Sequence, residues 1–548
     1  MESIELVLAM LLAVVASGYL VRVLPFSLPL PLVQIALGAA ITGVLHHGVT
    51  LDPDVFFLLF LPPLLFLDGW RIPKRGLLHD RGTILELALA LGLVVFTVLG
   101  AGFLIHWLVP AMPLAVAFAL AAIVSPTDPV AVSSIAARVP IPARLMHILE
   151  GESLLNDASG LVCFRFAVAA AMTGSFSLLS ASLTFLWVAL GGLGIGVLFT
   201  LAVSVVQQWL SRRFGQESGS PILVSLLIPF GAYMAAEVVE ASGILAAVAA
   251  GITMGYVELS GRALANTRVQ RSAVWATVQF SLNGIVFVLL GEQLPHILQG
   301  AMASVAQGGR ASPWWLLVYV LVISVSLAVL RYVWVQVSLR LSRWHARRRG
   351  EDRPKPDWRL VMATSLAGVR GAITLAGVLT LPMVLPDGTP FPTRDLAIFL
   401  ATAVILISLV AASAGLPVLL KNLEMPPETM EAQEENRARH EAATQAIAAI
   451  EKAQQGLLQK APAAEADIYT HAATRVIALY KRRLNDAGED GVDPAQLRKS
   501  DAAERTLRLA GLQAERAEIF NLARHFRISD ETSRKLVREI DLAESRYR

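Results

Sequence analysis

Ser125-Pro126-Thr127-Asp128-Pro129 interrupts a long apolar stretch of the chain, and this segment decides the fold. Its two prolines remove two backbone donors and strain a helix, so the sequence predicts a helix that breaks near Asp128 and leaves free carbonyls. Irregular backbone at membrane depth survives only against protein or a water-filled cavity. An ionisable group there costs about 2.5–3.5 kcal/mol on insertion scales, so we expect Asp128 to have a functional role. The alternative is a simple proline kink capped by Asp128.

The composition around this segment is that of a membrane protein. Of 548 residues, 55% are hydrophobic and 16% are charged, and the mean hydropathy is +0.59. Soluble domains carry about a quarter charged residues. The composition excludes a disordered, collagen-like or disulfide-stabilised protein, and the one cysteine, Cys163, cannot form an internal disulfide.

The charges divide the chain into two parts. Residues 427–548 hold 20 Lys/Arg and 21 Asp/Glu, whereas the first 426 residues hold 26 and 22. We therefore predict a transmembrane domain at residues 1–425 and a cytoplasmic helical domain at residues 426–548, with Ser529 or Asp530 capping the last helix. The tail is expected to serve regulation or dimerisation; the alternative is a solvated helical appendage. The excess of basic residues lies in loops between apolar segments, so it requires no nucleic-acid partner.

Thirteen apolar segments qualify as membrane spans, since a helix crosses the bilayer with about 20 apolar residues. They centre near residues 14, 40, 61, 96, 124, 160, 195, 229, 250, 284, 325, 372 and 407. If the N-terminus is outside, the alternating loops place 20 Lys/Arg in the cytoplasm and 2 outside, a strong positive-inside bias. The sequence therefore predicts an all-α polytopic protein of the cell membrane, with about thirteen transmembrane helices and a helical tail in the cytoplasm.

A second polar segment, Gly151-Glu152-Ser153-Leu154-Leu155-Asn156-Asp157, lies in the sixth predicted span. Residues four apart on a helix share a stripe, which pairs Glu152 with Asn156 and Ser153 with Asp157. The two stripes adjoin, so four polar groups face one cavity. Such oxygen-rich clusters suit hard cations such as Na⁺. The alternative is a satisfied polar contact between helices.

The third segment, Gly368-Val369-Arg370-Gly371, lies in the twelfth predicted span, and its glycines permit unwinding. Arg370 stays charged when buried and needs a carboxylate partner, for which we predict Glu152 as a structural ion pair. The broken spans five and twelve are seven apart and run in opposite directions, as two inverted six-helix repeats would place them. Transporters build their sites where discontinuous helices of inverted repeats meet.

Together the three segments resemble the monovalent cation:proton antiporters, most of all the bacterial-type sodium/proton exchanger branch with an Asn-Asp pair. The resemblance covers roughly residues 5–422. It implies a thirteen-helix inverted-repeat fold, a homodimer and a secondary transporter rather than an enzyme. It also implies exchange of Na⁺ or Li⁺ for H⁺ in pH and sodium homeostasis, without a cofactor.

Carried over by position, the resemblance makes Asp157 the shared cation and proton site and Asn156 its orienting neighbour. Further ligands would be Asp128, Ser153 and the carbonyl of Thr127, with Asp68 of the third span as an additional acidic ligand. The pair Glu152–Arg370 would hold the core together. Asn at position 156 resembles the electroneutral branch.

Three other functions remain open from the sequence. A related carrier could prefer K⁺, or K⁺ and Na⁺, or use two protons. A channel would show high unitary conductance instead of slow, pH-dependent turnover. Two intramembrane aspartates could also form an aspartyl protease dyad, although the proline beside Asp128 and the missing Gly-x-Gly-Asp sequence argue against it.

Overall fold

The computed structural model describes residues 2–23, 28–45, 53–71, 81–128, 132, 143–173, 178–215, 219–259, 265–307, 314–348, 357–421, 429–459, 466–486, 494–525 and 527–545. Within these ranges the protein is all-helical, with eighteen helices and a single isolated β-bridge, between Val384 and Pro390. The chain forms two compact units, Met1–Leu423 and Glu424–Arg548.

The first unit contains fourteen of the described helices. They are α1 (Glu2–Val23), α2 (Leu30–Leu45), α3 (Pro53–Arg71), α4 (Arg81–Leu108), α5 (Leu114–Val124), α6 (Ala143–Thr173), α7 (Leu178–Phe214), α8 (Gly219–Val238), α9 (Gly243–Leu259), α10 (Ala265–Gln307), α11 (Trp314–Arg348), α12 (Trp358–Leu366), α13 (Ala372–Leu379) and α14 (Arg394–Leu420).

Many of these helices are built to cross a bilayer. Among the described residues, five segments are long and apolar enough: Trp187–Phe214, Gly219–Val238, Thr267–Val305, Trp314–Leu341 and Arg394–Leu420. Shorter apolar segments, of 10–17 residues, lie in α1, α2, α4, α5, α6 and α9. The unit is thus a multi-pass membrane body, as the hydropathy predicts, while the number thirteen stays a prediction.

Helix packing sorts this unit into two bundles. One, the core bundle, comprises α4, α5, α6 and α11 to α14; α5 packs on α4 and α6, and α14 packs on α11, α12 and α13. The other, the scaffold bundle, comprises α1, α2, α3 and α7 to α10, with α9 against α3, α7 and α8. The bundles meet where α10 packs on α14 and where α3 approaches α6 and α13.

Two crossings in the scaffold bundle are built on paired glycines in the same register. They join Gly38 of α2 to Gly291 of α10, and Gly69 of α3 to Gly251 of α9. In both, each glycine faces the backbone carbonyl three residues before its partner glycine, at a distance that leaves no room for a Cβ. Small residues let helix backbones approach this closely in membranes.

Both predicted helix breaks are present in the core bundle. Helix α5 ends at Val124, and the chain is not helical at 126–128. Helix α12 ends at Leu366 and α13 begins only at Ala372. The two breaks touch, because the Asp128 amide donates to the Val369 carbonyl oxygen over 2.6 Å. Most of the second half of the fifth predicted span lies outside the described residues.

The second unit is helical, as expected. It contains α15 (Thr429–Leu458), α16 (Ala466–Asp486), α17 (Pro494–Arg524) and α18 (Asp530–Glu544), which pair as α15 with α16 and α17 with α18. Ser529 caps α18, since its hydroxyl oxygen accepts from the Thr532 amide at 3.1 Å. The predicted cap is therefore confirmed at Ser529.

Candidate functional site

The predicted site residues of α6 and the α5 break are brought together. Thr127, Ser153, Asn156 and Asp157 are each no more than 4% exposed. Ser153 of α6 reaches the Thr127 carbonyl oxygen just after the end of α5, and Gly160 of α6 fits against Pro126 with no room for a Cβ. A polar cluster is thus sealed inside an otherwise apolar bundle.

Ser153 links the broken helix to the buried carboxyl group. Its Oγ lies 2.5 Å from the Thr127 carbonyl oxygen and 3.2 Å from Asp157 Oδ2. A serine hydroxyl has one proton to donate and two lone pairs to accept with. If Ser153 donates its proton to the Thr127 carbonyl oxygen, its Oγ can accept a hydrogen bond from a protonated Asp157. If Asp157 is ionised, Ser153 Oγ, the Thr127 carbonyl oxygen and Asp157 Oδ2 can instead coordinate a cation. The same three oxygens can therefore accommodate a protonated carboxyl group or a carboxylate with its cation.

Asp128 lies at the N-terminus of α13. Its carboxylate lies directly against the Cα of Gly371, where a Cβ would overlap it. Gly371 is the N-cap of α13, and the unsatisfied amides at a helix N-terminus favour negative charge. The structure therefore pairs the carboxylate of one broken segment with the positive end of the other.

Arg370 makes the complementary contact. Its Nε donates to the Val124 carbonyl oxygen over 2.8 Å, and its Nη1 donates to the Gly368 carbonyl oxygen over 2.5 Å. Val124 is the last residue of α5, where unsatisfied carbonyls make the helix end negative. Arg370 is thus held by the carbonyls that the two breaks release, and its amide donates to Ser408 Oγ.

The ion pair in the core differs from the sequence prediction. Glu152 pairs with Arg331 of α11, at 2.6 Å between Oε1 and Nη1 and 3.3 Å between Oε2 and Nη2. The predicted pair Glu152–Arg370 is not formed, because backbone carbonyls occupy the guanidinium of Arg370. Arg331 is 2% exposed, whereas the Glu152 side chain is 17% exposed, so this fork-like pair is buried on the arginine side and half-buried on the carboxylate side.

Asn156 lies between the ion pair and the site. Its Nδ2 donates to Glu152 Oε1 at 3.2 Å. Its Oδ1 is buried and, among the residues described, has no hydrogen-bond partner. The amide is therefore fixed on one side by the Glu152–Arg331 pair, and its free oxygen is available as an acceptor or ligand next to Asp157.

Asp68 approaches from the scaffold bundle. It is half-buried near the end of α3, next to Gly69 at the crossing with α9, and its charge acts on Asp157 together with that of Asp128. Among the described residues, however, no three His, Cys, Asp or Glu side chains gather closely enough to hold a metal ion.

Further charged side chains lie in the apolar segments outside the predicted site. Arg331 was visible as a lone Arg in an apolar segment, but its partner was not. Glu292 of α10, 3% exposed, carried the same signal and was missed. Arg165 of α6, which pairs with Glu237 of α8, lies outside the site cluster.

Comparison with known proteins places this geometry in a family. Residues 9–422 match the family described as "sodium/hydrogen exchanger, transmembrane". The Na⁺/H⁺ exchanger YjcE of Escherichia coli (strain K12) is 42% identical over 100% of this chain and 99% of its own length. A sodium, potassium, lithium and rubidium/H⁺ antiporter of Bacillus pumilus (strain SAFR-032) is 44% identical over 76% of this chain and 61% of its own.

The fold also matches a solved structure. The sodium proton antiporter MjNhaP1 of Methanocaldococcus jannaschii aligns with a TM-score of 0.55 and 17% identity, over 77% of this chain and 99% of that one. At this identity the match supports the fold alone. The sequence matches reach further: they cover the membrane unit and the polar cluster inside it. The chain belongs to the sodium/hydrogen exchanger family of membrane transporters.

Proposed function

We propose that this chain exchanges Na⁺ or Li⁺ for H⁺ across the cell membrane by competition at Asp157. The observation that carries the proposal is the buried carboxyl group of Asp157, which contacts the Ser153 hydroxyl, while the same hydroxyl reaches the Thr127 carbonyl oxygen in the break after α5. Burial penalises the bare carboxylate, so Asp157 needs a proton or a cation as its partner. One carboxyl group cannot hold both well, and this makes the exchange obligatory.

Each neighbouring residue has a role in this exchange. Ser153 Oγ and the Thr127 carbonyl oxygen replace part of the cation's hydration shell. When the cation leaves and Asp157 is protonated, Ser153 accepts a hydrogen bond from the carboxyl group and donates its own proton to the Thr127 carbonyl oxygen. Asn156 orients the site through Glu152. Asp128 and Asp68 add negative charge that attracts a cation and opposes an empty, ionised Asp157.

Alternating access follows from how the site is divided. Asp128 and Asp157 belong to the core bundle, whereas Asp68 belongs to the scaffold bundle. A shift of the core bundle against the scaffold bundle would expose the site first to one side of the membrane and then to the other. Asp128 and Asp157 would move together with the core bundle. The ionised site without a cation crosses poorly, because no charge compensates it in a region of low dielectric constant.

The cation preference has a second candidate. The Bacillus pumilus relative carries a name that includes potassium and rubidium, which favours a broad K⁺(Na⁺)/H⁺ exchanger as the alternative. Carbonyl and hydroxyl oxygens held on a broken helix can adjust to larger ions. A pH-gradient assay in proteoliposomes with Na⁺, Li⁺, K⁺ and Rb⁺ in turn distinguishes the two.

The topology is proposed on the same basis. Thirteen spans in two inverted repeats, with a seventh span between them, would relate span 2 (α2) to span 9 (α9) and span 3 (α3) to span 10 (α10). The repeat would then map the crossing of α2 with α10 onto the crossing of α9 with α3. The paired glycines that both crossings contain in the same register support this relation. The charge of the loops supports an external N-terminus and a cytoplasmic tail at residues 426–548, and we propose a homodimer with the tail in regulation or dimer contact.

The proposed function is tested by Asp157→Asn in proteoliposomes. The substitution keeps size and polarity but removes the titratable group, so cation-dependent proton flux should fall to the protein-free background. Ser413→Ala, an exposed position on α14, should leave the flux unchanged. Retained exchange in the Asp157 variant would contradict competition at this carboxyl group.

A further inference from the structure

An ion pair joins the two bundles away from the site. Nη1 of Arg165 on α6 lies 2.9 Å from Glu237 Oε1, and Nη2 donates to the Tyr233 hydroxyl oxygen over 2.9 Å. Glu237 and Tyr233 are four residues apart on α8 and so share one face. The fork of the guanidinium therefore holds two partners at once, which makes the contact specific.

The contact crosses the boundary between the bundles. Helix α6 packs on α4 and α5 of the core bundle, whereas α8 packs on α7 and α9 of the scaffold bundle. Tyr233 is fixed within the scaffold, because its ring lies against Gly243 at the start of α9 with no room for a Cβ. Arg165 thus reaches from one bundle to a rigid feature of the other.

The contact is also partly exposed. The side chains of Arg165 and Glu237 are 37% and 41% exposed. Within a membrane-spanning helix, charges normally face a protein interior or a water-filled cavity rather than lipid. We therefore place the exposed part of this pair in an aqueous cleft between α6 and α8.

The cleft lies on one side of the cation site. Arg165 follows Asp157 by eight residues on α6, which corresponds to about 12 Å along a helix. Leu161 and Phe164, at 0% and 3% exposure, lie between them in the chain and are buried. The ion pair is therefore on the far side of an apolar seal from Asp157, in the half of α6 that the loop charges assign to the outside.

We propose that Arg165, Tyr233 and Glu237 form a latch that holds the outer cleft closed and opens once in every transport cycle. This rests on the proposed antiport, in which the site must face one side at a time. The bundle boundary passes through the site, so changing its exposure shifts α6 against α8. Hydrogen bonds weaken steeply beyond about 3.5 Å, so a shift of a few ångströms breaks both contacts.

The main test fixes the latch covalently. In a Cys163→Ser background, which removes the chain's one cysteine, Arg165→Cys and Glu237→Cys are joined by a reductively cleavable bifunctional thiol reagent of about the length of the Arg–Glu contact. Exchange in proteoliposomes should fall at least tenfold and return when the linker is cleaved. The matched control is Gly191→Cys with Ala241→Cys, whose Cβ atoms would lie 3.2 Å apart within the scaffold bundle. Its cross-link should leave exchange unchanged.

A second measurement does not depend on the cross-link. A single cysteine at Leu161 should react at least fivefold faster with an impermeant thiol reagent added outside when Glu237→Gln and Tyr233→Phe loosen the latch. A cysteine at the exposed Trp187 of α7 should react at the same rate in both backgrounds.

The outcomes separate the latch from the proposed function. Full exchange with the Arg165–Glu237 positions cross-linked would overturn the latch and leave the antiport intact. An unchanged labelling rate at Leu161 would also overturn it. If the unmodified Cys163→Ser protein shows no cation-dependent proton flux, the proposed function fails and the latch with it.

Discussion

At the scale of single residues, the partner of Glu152 determines how the core is held. Arg331→Ala leaves the half-buried Glu152 carboxylate without its counter-charge. Orphaning a fully buried charge typically costs about 3–5 kcal/mol, so we expect a smaller but clear fall in melting temperature in detergent. Adding Glu152→Gln should recover part of the loss, because the unpaired charge is removed. Arg340→Ala, at an exposed position on the same helix, should change stability by less than about 0.5 kcal/mol. Equal, small effects at both arginines would contradict the buried pair.

The same pair shows what a single sequence can and cannot predict. Glu152, Ser153, Asn156 and Asp157 were recognisable because helical spacing places them on adjoining stripes. The choice between two arginines was not, since it depends on which guanidinium has other acceptors nearby. The breaks were expected to free backbone carbonyls, but only the structure shows that these carbonyls face Arg370 and hold its guanidinium in place of a carboxylate.

At the scale of elements, Gly371 allows the two half-helices to meet. Its substitution by Ala would place a Cβ on the Asp128 carboxylate, which must then leave the N-terminus of α13. We expect Gly371→Ala to reduce cation-dependent proton flux at least tenfold while the protein still folds. Gly194→Ala on α7, where a Cβ would meet open space, is the control and should keep full activity. Normal flux in the Gly371 variant would show that Asp128 need not stay at this helix end.

The glycine crossings lead to a stability prediction. A Cβ at Gly38 would overlap the backbone of α10, so Gly38→Ala should destabilise the protein by about 1–3 kcal/mol. Gly251→Ala at the equivalent crossing should cost a similar amount. On the same α2 helix, Gly43 faces open space, and Gly43→Ala should stabilise by up to about 1 kcal/mol. Thermal unfolding in detergent measures all three, and a loss at Gly43 as large as at Gly38 would contradict the close approach.

These crossings also show the limit of predicting elements from sequence. The breaks at residues 125–128 and 368–371 were predictable, because proline and glycine act locally. The crossings were not, since a glycine in an apolar helix does not indicate which backbone approaches it. That the crossings at Gly38 and Gly251 share the same register became visible only when their partner helices were known.

At the scale of the whole molecule, the site predicts how transport responds to voltage. Position 156 is Asn, so the proposed mechanism has one carboxyl group in the Asn156-Asp157 pair, that of Asp157, to exchange a proton for a cation. If one Na⁺ moves against one H⁺, no net charge crosses. The membrane potential then does no work on the cycle, whereas a two-proton exchanger would gain about 2.3 kcal/mol per 100 mV.

We therefore expect the Na⁺-driven proton flux in proteoliposomes to be the same, within twofold, with and without a potential of about 100 mV imposed by valinomycin and a K⁺ gradient. Because K⁺ is itself a candidate substrate, the same gradient without valinomycin serves as the control and reveals any K⁺/H⁺ exchange. Acceleration at one sign of the potential and slowing at the other would show that net charge moves. A further group would then have to carry a second proton, and Glu292, buried in α10, would be the first to substitute.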